Sequence, residues 1–131
     1  MMEVLYVAST DSLDYHPANT SWDFTIELPK QLHGNWECAL ADITFTGFNG
    51  AVYVFADICK QSYVKDTTLP VLRRVLYNGE MNNLNFVPVT RKNIQRVRIT
   101  LRDINLNTLP AVSEPVYCTL LLKPIKDQLY Q

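Results

Sequence analysis

Two stretches of the chain alternate strictly between apolar and polar residues. Residues 22–28 read WDFTIEL, with a large apolar side chain at every second position. Residues 96–102 read RVRITLR, with arginine or threonine alternating with valine, isoleucine and leucine. Because successive side chains of a β-strand point to opposite faces of the sheet, each stretch is predicted to be a strand with one buried face and one face in water.

Other apolar stretches predict further strands. Residues 51–59 are apolar on both parities, which is typical of a strand covered on both faces. Residues 36–45 change the parity of their apolar positions near Ala41 and Asp42, which predicts a β-bulge or a strand that crosses between sheets. We expect Pro29 to end the first alternating strand, because proline cannot donate to a strand ladder. Shorter candidate strands lie at 4–8, 63–64, 69–77, 86–89 and 116–122.

The segments amount to about eight strands with turn residues between them, and none shows a sustained helical period. We therefore predict a single domain, residues 1–131, with an all-β fold: an antiparallel, two-sheet β-sandwich that is jelly-roll-like. The strand count is typical of a jelly roll, but spacing alone does not separate it from an immunoglobulin-like sandwich.

The composition is that of a globular domain that needs no disulfide or metal to fold. The 131 residues are 47% hydrophobic and 19% charged, and the formal net charge is -1. Proteins whose main role is nucleic-acid binding normally carry a basic excess, so nucleic acid is expected only as a secondary contact. The four glycines offer little from which to build a phosphate-binding loop. No cofactor is predicted.

Sequence features also bear on where the protein works. Cys38, Cys59 and Cys118 lie in apolar runs and are predicted to be reduced core thiols. The first residues show no basic region followed by an apolar stretch and a cleavage site, so we expect synthesis inside the cell rather than secretion. No apolar run approaches the ~18 residues that span a membrane, and no membrane contact is predicted.

No group of residues predicts a catalytic or metal site. Ser9, Asp14 and His16 supply the residue types of a nucleophile, an acid and a base, but they lie between a strand and a proline. We interpret the serines and aspartates of this segment as turn-capping residues. His16 and His33 lack cysteine or carboxylate neighbours at metal-ligand spacing. An enzyme is therefore not predicted.

The clearest electrostatic feature is a row of arginines on the polar parity of 96–102. It is explained either as a solvated sheet face or as a contact with an acidic partner, which would be a protein chain or packaged nucleic acid. No aromatic residue interleaves the row, which disfavours binding of single-stranded nucleic acid. Two more arginines follow a proline at a predicted sheet edge. The candidate partner-binding residues are Arg73, Arg74, Arg96, Arg98 and Arg102.

The aromatic residues fall into two classes. Trp22 and Trp36 lie at inward parity and are predicted core anchors. Four others lie in loops or short segments, where exposed rings would stack on sugars or anchor a protein contact. These candidate loop contacts are Tyr15, Phe48, Tyr63 and Tyr77.

Short motifs along most of the chain carry a resemblance to a known family. In the first half they are STDS at 9–12, YHPANT at 15–20, FT at 24–25, LP at 28–29 and GNWE at 34–37. In the second half they are YVFADI at 53–58, LPVLRRV at 69–75, VPV at 87–89, NI at 93–94 and ITLRD at 99–103. Together they resemble a structural protein of Polinton (Maverick) elements and adintovirus-like animal viruses.

The resemblance implies a non-enzymatic virion structural protein, a small jelly-roll capsid subunit of the penton-like vertex or minor capsid kind. Its partners would be other capsid chains, with a homopentamer favoured and a trimer next. It would be located in the virion after synthesis inside the host cell. The loop aromatics favour an alternative, a fibre-head-like or lectin-like receptor-binding module. An enzyme remains a third class because fold does not fix function.

Overall fold

The computed structural model describes residues 2–13, 22–110, 112 and 114–125. These residues form eleven β-strands and one short 3-10 helix, Ser9–Asp11. The strands are β1 (Glu3–Ala8), β2 (Asp23–His33), β3 (Trp36–Thr44), β4 (Val52–Ala56), β5 (Ser62–Val64), β6 (Thr67–Leu69), β7 (Val71–Val75), β8 (Gly79–Glu80), β9 (Val87–Pro88), β10 (Asn93–Asp103) and β11 (Tyr117–Pro124).

The main strands form two antiparallel sheets. Sheet A has the order β1-β11-β3, and both β8 and β9 pair with the other side of β3. Sheet B has the order β2-β10-β4-β7, while β5 and β6 form a separate hairpin. The predicted all-β, antiparallel two-sheet sandwich is confirmed.

The strand pairings are nested along the chain. Strand β1 pairs with β11, β2 with β10, β3 with β8 and β9, and β4 with β7. This is the pattern of one long hairpin that has been rolled into two sheets, which is a jelly roll. Two further pairings, β11 with β3 and β10 with β4, join the nested pairs within each sheet. The nested order therefore separates the jelly roll from the immunoglobulin-like alternative.

The inward side chains of both sheets pack into one hydrophobic cluster. Leu40 and Leu120 of sheet A and Val54 and Leu101 of sheet B are among its fully buried members. Burial of this kind supplies the main favourable free energy of folding, at about 25 cal/mol for each Å² of apolar surface removed from water. The shared cluster is what fixes the two outer faces relative to each other.

The three cysteines are buried free thiols, as predicted. A hydrogen bond with Cys59, together with burial, raises the pKa of Cys38 well above its usual value. Burial and the nearby charge of Asp42 raise the pKa of Cys118 to about 12. The thiolate forms of Cys38 and Cys118 are therefore disfavoured at neutral pH, which makes these two cysteines poor nucleophiles and metal ligands.

Strand β2 runs past Pro29, so the prediction that this proline ends the strand is wrong. The register of β2 with β10 pairs Glu27 with Arg96 and Leu32 with Ile94, and it shifts between these two pairs. Pro29 lies in that irregular stretch, where a ladder hydrogen bond is not required. Strand β2 is also an edge of sheet B, which is where proline is tolerated in a sheet.

The parity change in β3 is a β-bulge. Asp42 pairs with Thr119 and Leu40 pairs with Leu120, which leaves Ala41 as the extra residue. Strand β3 stays in sheet A throughout, so the alternative of a strand that crosses between sheets is wrong. The bulge lets apolar side chains on both sides of it face the core.

Two other predicted strands differ from the structure. The stretch 69–77 is divided at Pro70 into the end of β6 and the separate strand β7. The carbonyl of Pro70 accepts a hydrogen bond from the Ala56 amide at 3.1 Å, so the break stays attached to β4. The stretch 86–89 contributes only the two residues of β9, which shares one edge of sheet A with the equally short β8.

The two tryptophans have different environments. Trp22 is 3% exposed, its indole N–H donates to the Pro110 carbonyl at 2.6 Å, and its ring meets Phe45 edge to face at 5.6 Å. Trp36 is only half-buried, and its N–H donates to the His33 carbonyl at 2.8 Å. The core-anchor prediction is therefore confirmed for Trp22, whereas Trp36 packs at the margin of the core.

Candidate functional site

Three of the predicted partner-binding arginines share the outer face of sheet B on β10. Arg98 pairs with Asp23 through two hydrogen bonds, Nε to Oδ1 at 2.9 Å and Nη2 to Oδ2 at 2.6 Å. The Nε atom of Arg96 lies 3.6 Å from Oε1 of Glu27. Both acidic residues belong to β2. This side of the face therefore carries paired charges of both signs and is not a bare basic surface.

The pairing also affects the acid. The hydrogen bond from Arg98 is the largest cause that lowers the pKa of Asp23 below its usual value, and partial burial acts in the opposite direction. The charges of Arg98 and Arg102 and a hydrogen bond from Thr100 lower it further. Asp23 is consequently ionised at neutral pH and holds Arg98 in place.

Arg102 differs from its neighbours in the row. Arg102 is half-buried, and its guanidinium makes no hydrogen bond or ion pair with any described residue. The strand register places Arg102 beside Tyr53 of β4, and places Tyr53 beside Arg74 of β7. Tyr53 stacks on Phe55, with ring centroids 6.0 Å apart and planes at 22°. A cation–aromatic–cation row thus crosses sheet B, which the sequence of β10 alone does not reveal.

The two arginines of β7 have different surroundings. Arg73 is half-buried, and its guanidinium donates to the backbone carbonyl of Asn83. It thereby ties β7 to the connection between β8 and β9. Arg74 is exposed at the edge of sheet B. The register therefore places Arg74 in one row with Arg102, with Tyr53 between them, whereas Arg73 supports a loop of its own chain.

A cleft of about 410 Å³ lies on the outer face of sheet B, within the range of small-ligand sites. Phe55 is only 7% exposed although it belongs to this outer face, because the end of β6 and the loop between β10 and β11 extend over it. The lining combines apolar and charged side chains. It consists of Phe55, Leu69, Pro70 and Leu106, with Asp57, Arg98, Thr100 and Arg102.

The segments that form the walls of this cleft each contain a residue in a strained, left-handed backbone conformation. Within the described ranges, two non-glycine residues have positive φ: Leu106 at 67° and Lys65, in the β5–β6 turn, at 56°. This conformation costs about 1–2 kcal/mol for a residue with a Cβ atom. The carboxylate of Asp103 accepts the amides of Asn105 and Asn107, each at 2.9 Å, and so fixes the loop that carries Leu106. The Nζ atom of Lys65 donates to Oδ1 of Asn105 at 3.5 Å, which joins the two walls.

The outer face of sheet A carries exposed apolar side chains, in contrast to the charged outer face of sheet B. Val4 and Tyr6 of β1 point outward and are 45% and 84% exposed, and Tyr117 of β11 is 52% exposed. Leu121, the register partner of Val4, is half-buried beside them. We call Val4, Tyr6, Tyr117 and Leu121 the sheet A patch. Large exposed apolar patches on soluble proteins often mark contacts with other proteins.

Strand β1 is also an edge without the usual protection. In the part of the chain that the structure describes, β1 has a strand neighbour on one side only, which is β11. Edge strands normally carry charges or prolines, or are very short, because they can otherwise pair with another chain. The sole charge in β1 is Glu3, at its end, where it pairs with Lys30 at 3.4 Å. The stretch from Val4 to Ala8 is apolar throughout.

The predicted loop aromatics are only partly brought together. Phe48 and Tyr77 line one open groove of about 400 Å³, where Phe48 packs against the core and Tyr77 is 81% exposed. The Asn78 side chain bonds both backbone groups of Phe45 at 3.0 Å and so joins the two loops that form the groove. Tyr63 is 78% exposed on the separate β5–β6 hairpin. Tyr15 lies outside the described residues.

The serines of the segment that begins at Ser9, which supplies the residue types of a hydrolase, make hydrogen bonds that support the fold. The Ser9 hydroxyl is buried and accepts the Val116 amide at 3.0 Å, and Ser12 Oγ accepts the Thr25 amide at 3.1 Å. Both bonds join the serines to segments distant in the sequence and not to the turn itself, so they do not bear out the interpretation of these serines as turn-capping residues. Asp14 and His16 lie outside the described residues. Among the described residues, no group of three or more His, Cys, Asp and Glu side chains could hold a metal ion. The described ranges also contain no helix long and apolar enough to cross a membrane.

Comparison with protein-family models gives no match, and comparison with curated proteins gives none either. The candidate surfaces are therefore judged on their geometry and chemistry. They are the sheet A patch with the β1 edge, the cleft on sheet B, and the groove at Phe48 and Tyr77.

Proposed function

We propose that the protein is a non-enzymatic structural subunit of a virion, a small jelly-roll capsid protein of the penton-like vertex or minor capsid kind. Jelly rolls of two Greek keys are common in viral capsid and lectin domains. The nested strand order supports this class, and the motif resemblance to Polinton and adintovirus structural proteins supports the viral source.

The single observation that carries the proposal is the unprotected β1 edge beside the sheet A patch. Val4 to Ala8 presents apolar side chains and an unpaired strand edge to solvent within the described residues. A protein that works as a monomer would be expected to protect such an edge with charges or proline. A second copy that covers it would bury Tyr6 and Val4 and pair the backbone.

A homopentamer is the favoured assembly and a trimer is the second candidate. The two edges of sheet A are unlike, because β1 is continuous whereas β8 and β9 are two short pieces. A contact between unlike surfaces is heterologous, and such contacts close into rings when the rotation allows it. The partners are therefore proposed to be other capsid chains, first of all copies of this one, in a particle assembled inside the host cell.

The test is the mass of the purified protein, measured by size-exclusion chromatography with light scattering over a range of protein concentrations. Five copies of the 15.0 kDa chain would give about 75 kDa and three would give about 45 kDa. Tyr6→Glu should dissociate the assembly, because a charge would be buried in the contact. Tyr63→Glu is the matched control, since Tyr63 has nearly the same exposure, 78% against 84%, at a different place.

Each outcome has a clear meaning. A 15 kDa monomer at every concentration would contradict self-assembly. An assembly that survives Tyr6→Glu unchanged would contradict the role of the sheet A patch, even if the protein is oligomeric.

A receptor-binding module of the fibre-head-like or lectin-like kind is the second candidate. The observation that favours it is the groove that joins Phe48 and Tyr77 with asparagine side chains, because sugar sites combine an aromatic platform with amide groups. Binding to a glycan array that is lost in Tyr77→Ala and kept in Tyr63→Ala would support it. The absence of any saturable glycan binding would count against it.

A further inference from the structure

The cleft on sheet B lies on the opposite outer face from the sheet A patch, so a ligand in the cleft would not compete with the proposed self-assembly. Its floor is Phe55, an aromatic ring that is buried on the solvent side of the sandwich. Leu69, at the end of β6, and Leu106, in the loop between β10 and β11, form apolar walls above it. The result is an apolar recess in a face that otherwise carries charged side chains.

Hydrogen bonds fix the two segments that form the walls of the cleft. Leu106 is held in a left-handed conformation by the Asp103 turn, and Lys65 of the neighbouring hairpin, also left-handed, reaches Asn105 of the same loop. Non-glycine residues persist in this conformation only where the surrounding structure over-determines it, and they cluster at ligand-binding and active sites. A recess that is already shaped loses little conformational entropy when it binds.

The positive charge of Arg102 at the mouth of the cleft favours a ligand with a negative charge. Arg98 is engaged by Asp23, and Asp57 accepts the Arg98 amide at 2.9 Å and the Arg91 guanidinium at 3.0 Å. The Arg102 side chain lines the same cleft and its residue is half-buried. Its charge acts on Asp23, but no hydrogen bond or ion pair joins its guanidinium to a described residue. A carboxylate beside its planar guanidinium would form a charge-assisted, bidentate pair.

A protein partner fits these features better than a nucleic acid. Asp57 lines the cleft and Asp23 lies beside it, and both would repel a chain of phosphates. The recess accepts apolar side chains next to one carboxylate, which an extended peptide supplies when an acidic residue follows an aromatic or aliphatic one. We propose that this cleft binds an extended segment of a partner protein, with an acidic side chain on Arg102 and an adjacent apolar side chain over Phe55.

The experiment is a titration of the isotope-labelled protein, followed by amide chemical shifts. The probes are acetyl-Val-Phe-Asp-Leu-amide and the matched peptide with Asn in place of Asp. The aspartate peptide should shift the amides of Phe55, Arg102 and Leu106, and should bind about 10- to 100-fold more tightly than the asparagine peptide, as expected for a hydrogen bond to a charged group. Because this comparison uses the unaltered protein, it does not depend on how any variant folds.

Two variants locate the effect. Arg102→Gln should remove the preference for aspartate. Arg74→Gln lies two strands away, with Tyr53 of β4 between, and outside the cleft lining, so it should leave both affinities unchanged. Equal binding of the two peptides, or shifts confined to other surfaces, would overturn the proposal. Tighter binding of a decathymidylate or of phenylacetate would also overturn it, in favour of a nucleic-acid surface or a small-anion site. None of these outcomes depends on the oligomeric mass, so this proposal and the self-assembly proposal can fail separately.

Discussion

Replacing Trp22 with phenylalanine should destabilise the protein far more than the same change at Trp36. Both indoles donate to a backbone carbonyl, Trp22 to Pro110 and Trp36 to His33, so the two substitutions remove the same chemical group. They differ in burial: Trp22 is 3% exposed, whereas Trp36 is half-buried. The comparison therefore isolates the effect of burial on one hydrogen bond and one ring.

The expected loss at Trp22 has two parts. Removing the donor of this part-buried hydrogen bond costs about 1 kcal/mol. The smaller ring forgoes roughly 40 Å² of buried apolar surface, or about 1 kcal/mol. The free energy of unfolding should therefore fall by about 2 kcal/mol for Trp22→Phe, against less than about 1 kcal/mol for Trp36→Phe, where water replaces the lost contacts.

Calorimetry and urea titration of both variants measure this difference. For a domain of this length each kcal/mol lowers Tm by roughly 4 °C, so Trp22→Phe should lose about 8 °C and Trp36→Phe about half of that or less. Equal losses, or a larger loss at Trp36, would refute the view that Trp22 anchors the loop between β10 and β11. Because the same loop carries Leu106, we also expect weaker peptide binding in Trp22→Phe than in Trp36→Phe.

Two further predictions concern a turn and an ion pair. Gly47 and Gly34 both have positive φ, at 88° and 99°, but a Cβ atom at Gly47 would overlap the Val112 side chain, whereas Gly34 faces open space. Gly47→Ala should therefore lose about 1–3 kcal/mol more stability than Gly34→Ala in urea titrations. Equal losses would contradict the packing of Gly47 against Val112. Asp23→Asn should cost about 1 kcal/mol or less at neutral pH, because the ion pair is partly exposed. Since the pKa of Asp23 is lowered in the folded state from its ordinary value of 3.8, the stabilisation is fully present above pH 3.8 and is lost as the pH falls through the lower folded value. The stability difference between the wild type and Asp23→Asn, followed by urea titration from pH 7 to pH 3, should shrink in that acidic range, and a constant gap would contradict the assignment.

Local patterns predicted much of the fold. The alternation in 22–28 and 96–102 correctly identified the buried faces of β2 and β10, and the parity change at Ala41 correctly indicated a bulge. These features follow from the two-residue period of a strand, which is a local property of the sequence. The apolar residues on both parities of 51–59 also predicted that this strand is covered on its outer side, as Phe55 is. The sequence did not show that the β5–β6 hairpin and the β10–β11 loop provide this cover.

The parts that the sequence did not predict depend on contacts between distant residues. The arginines of β10 look like an unpaired basic row until the register places Glu27 opposite Arg96, and Asp23 opposite Thr100, where it reaches Arg98 diagonally. Likewise, Tyr53 comes to lie between Arg102 and Arg74 only because β4 pairs with both β10 and β7. Pairing across the sheet is decided by topology, so no window along the chain could have found either arrangement.

The nested order of pairing also bears on how the molecule is made. The central pair, β4 with β7, joins strands close in sequence, whereas β1 pairs with β11 from the other end of the described chain. Since closing a longer loop costs more entropy, we expect the sheets to form from the central pair outward, with β1 and β11 joining last. The sheet A patch is built from these two strands. The proposed assembly through it would then begin only in molecules that have completed their fold, so the order of folding would itself keep unfinished chains out of that assembly.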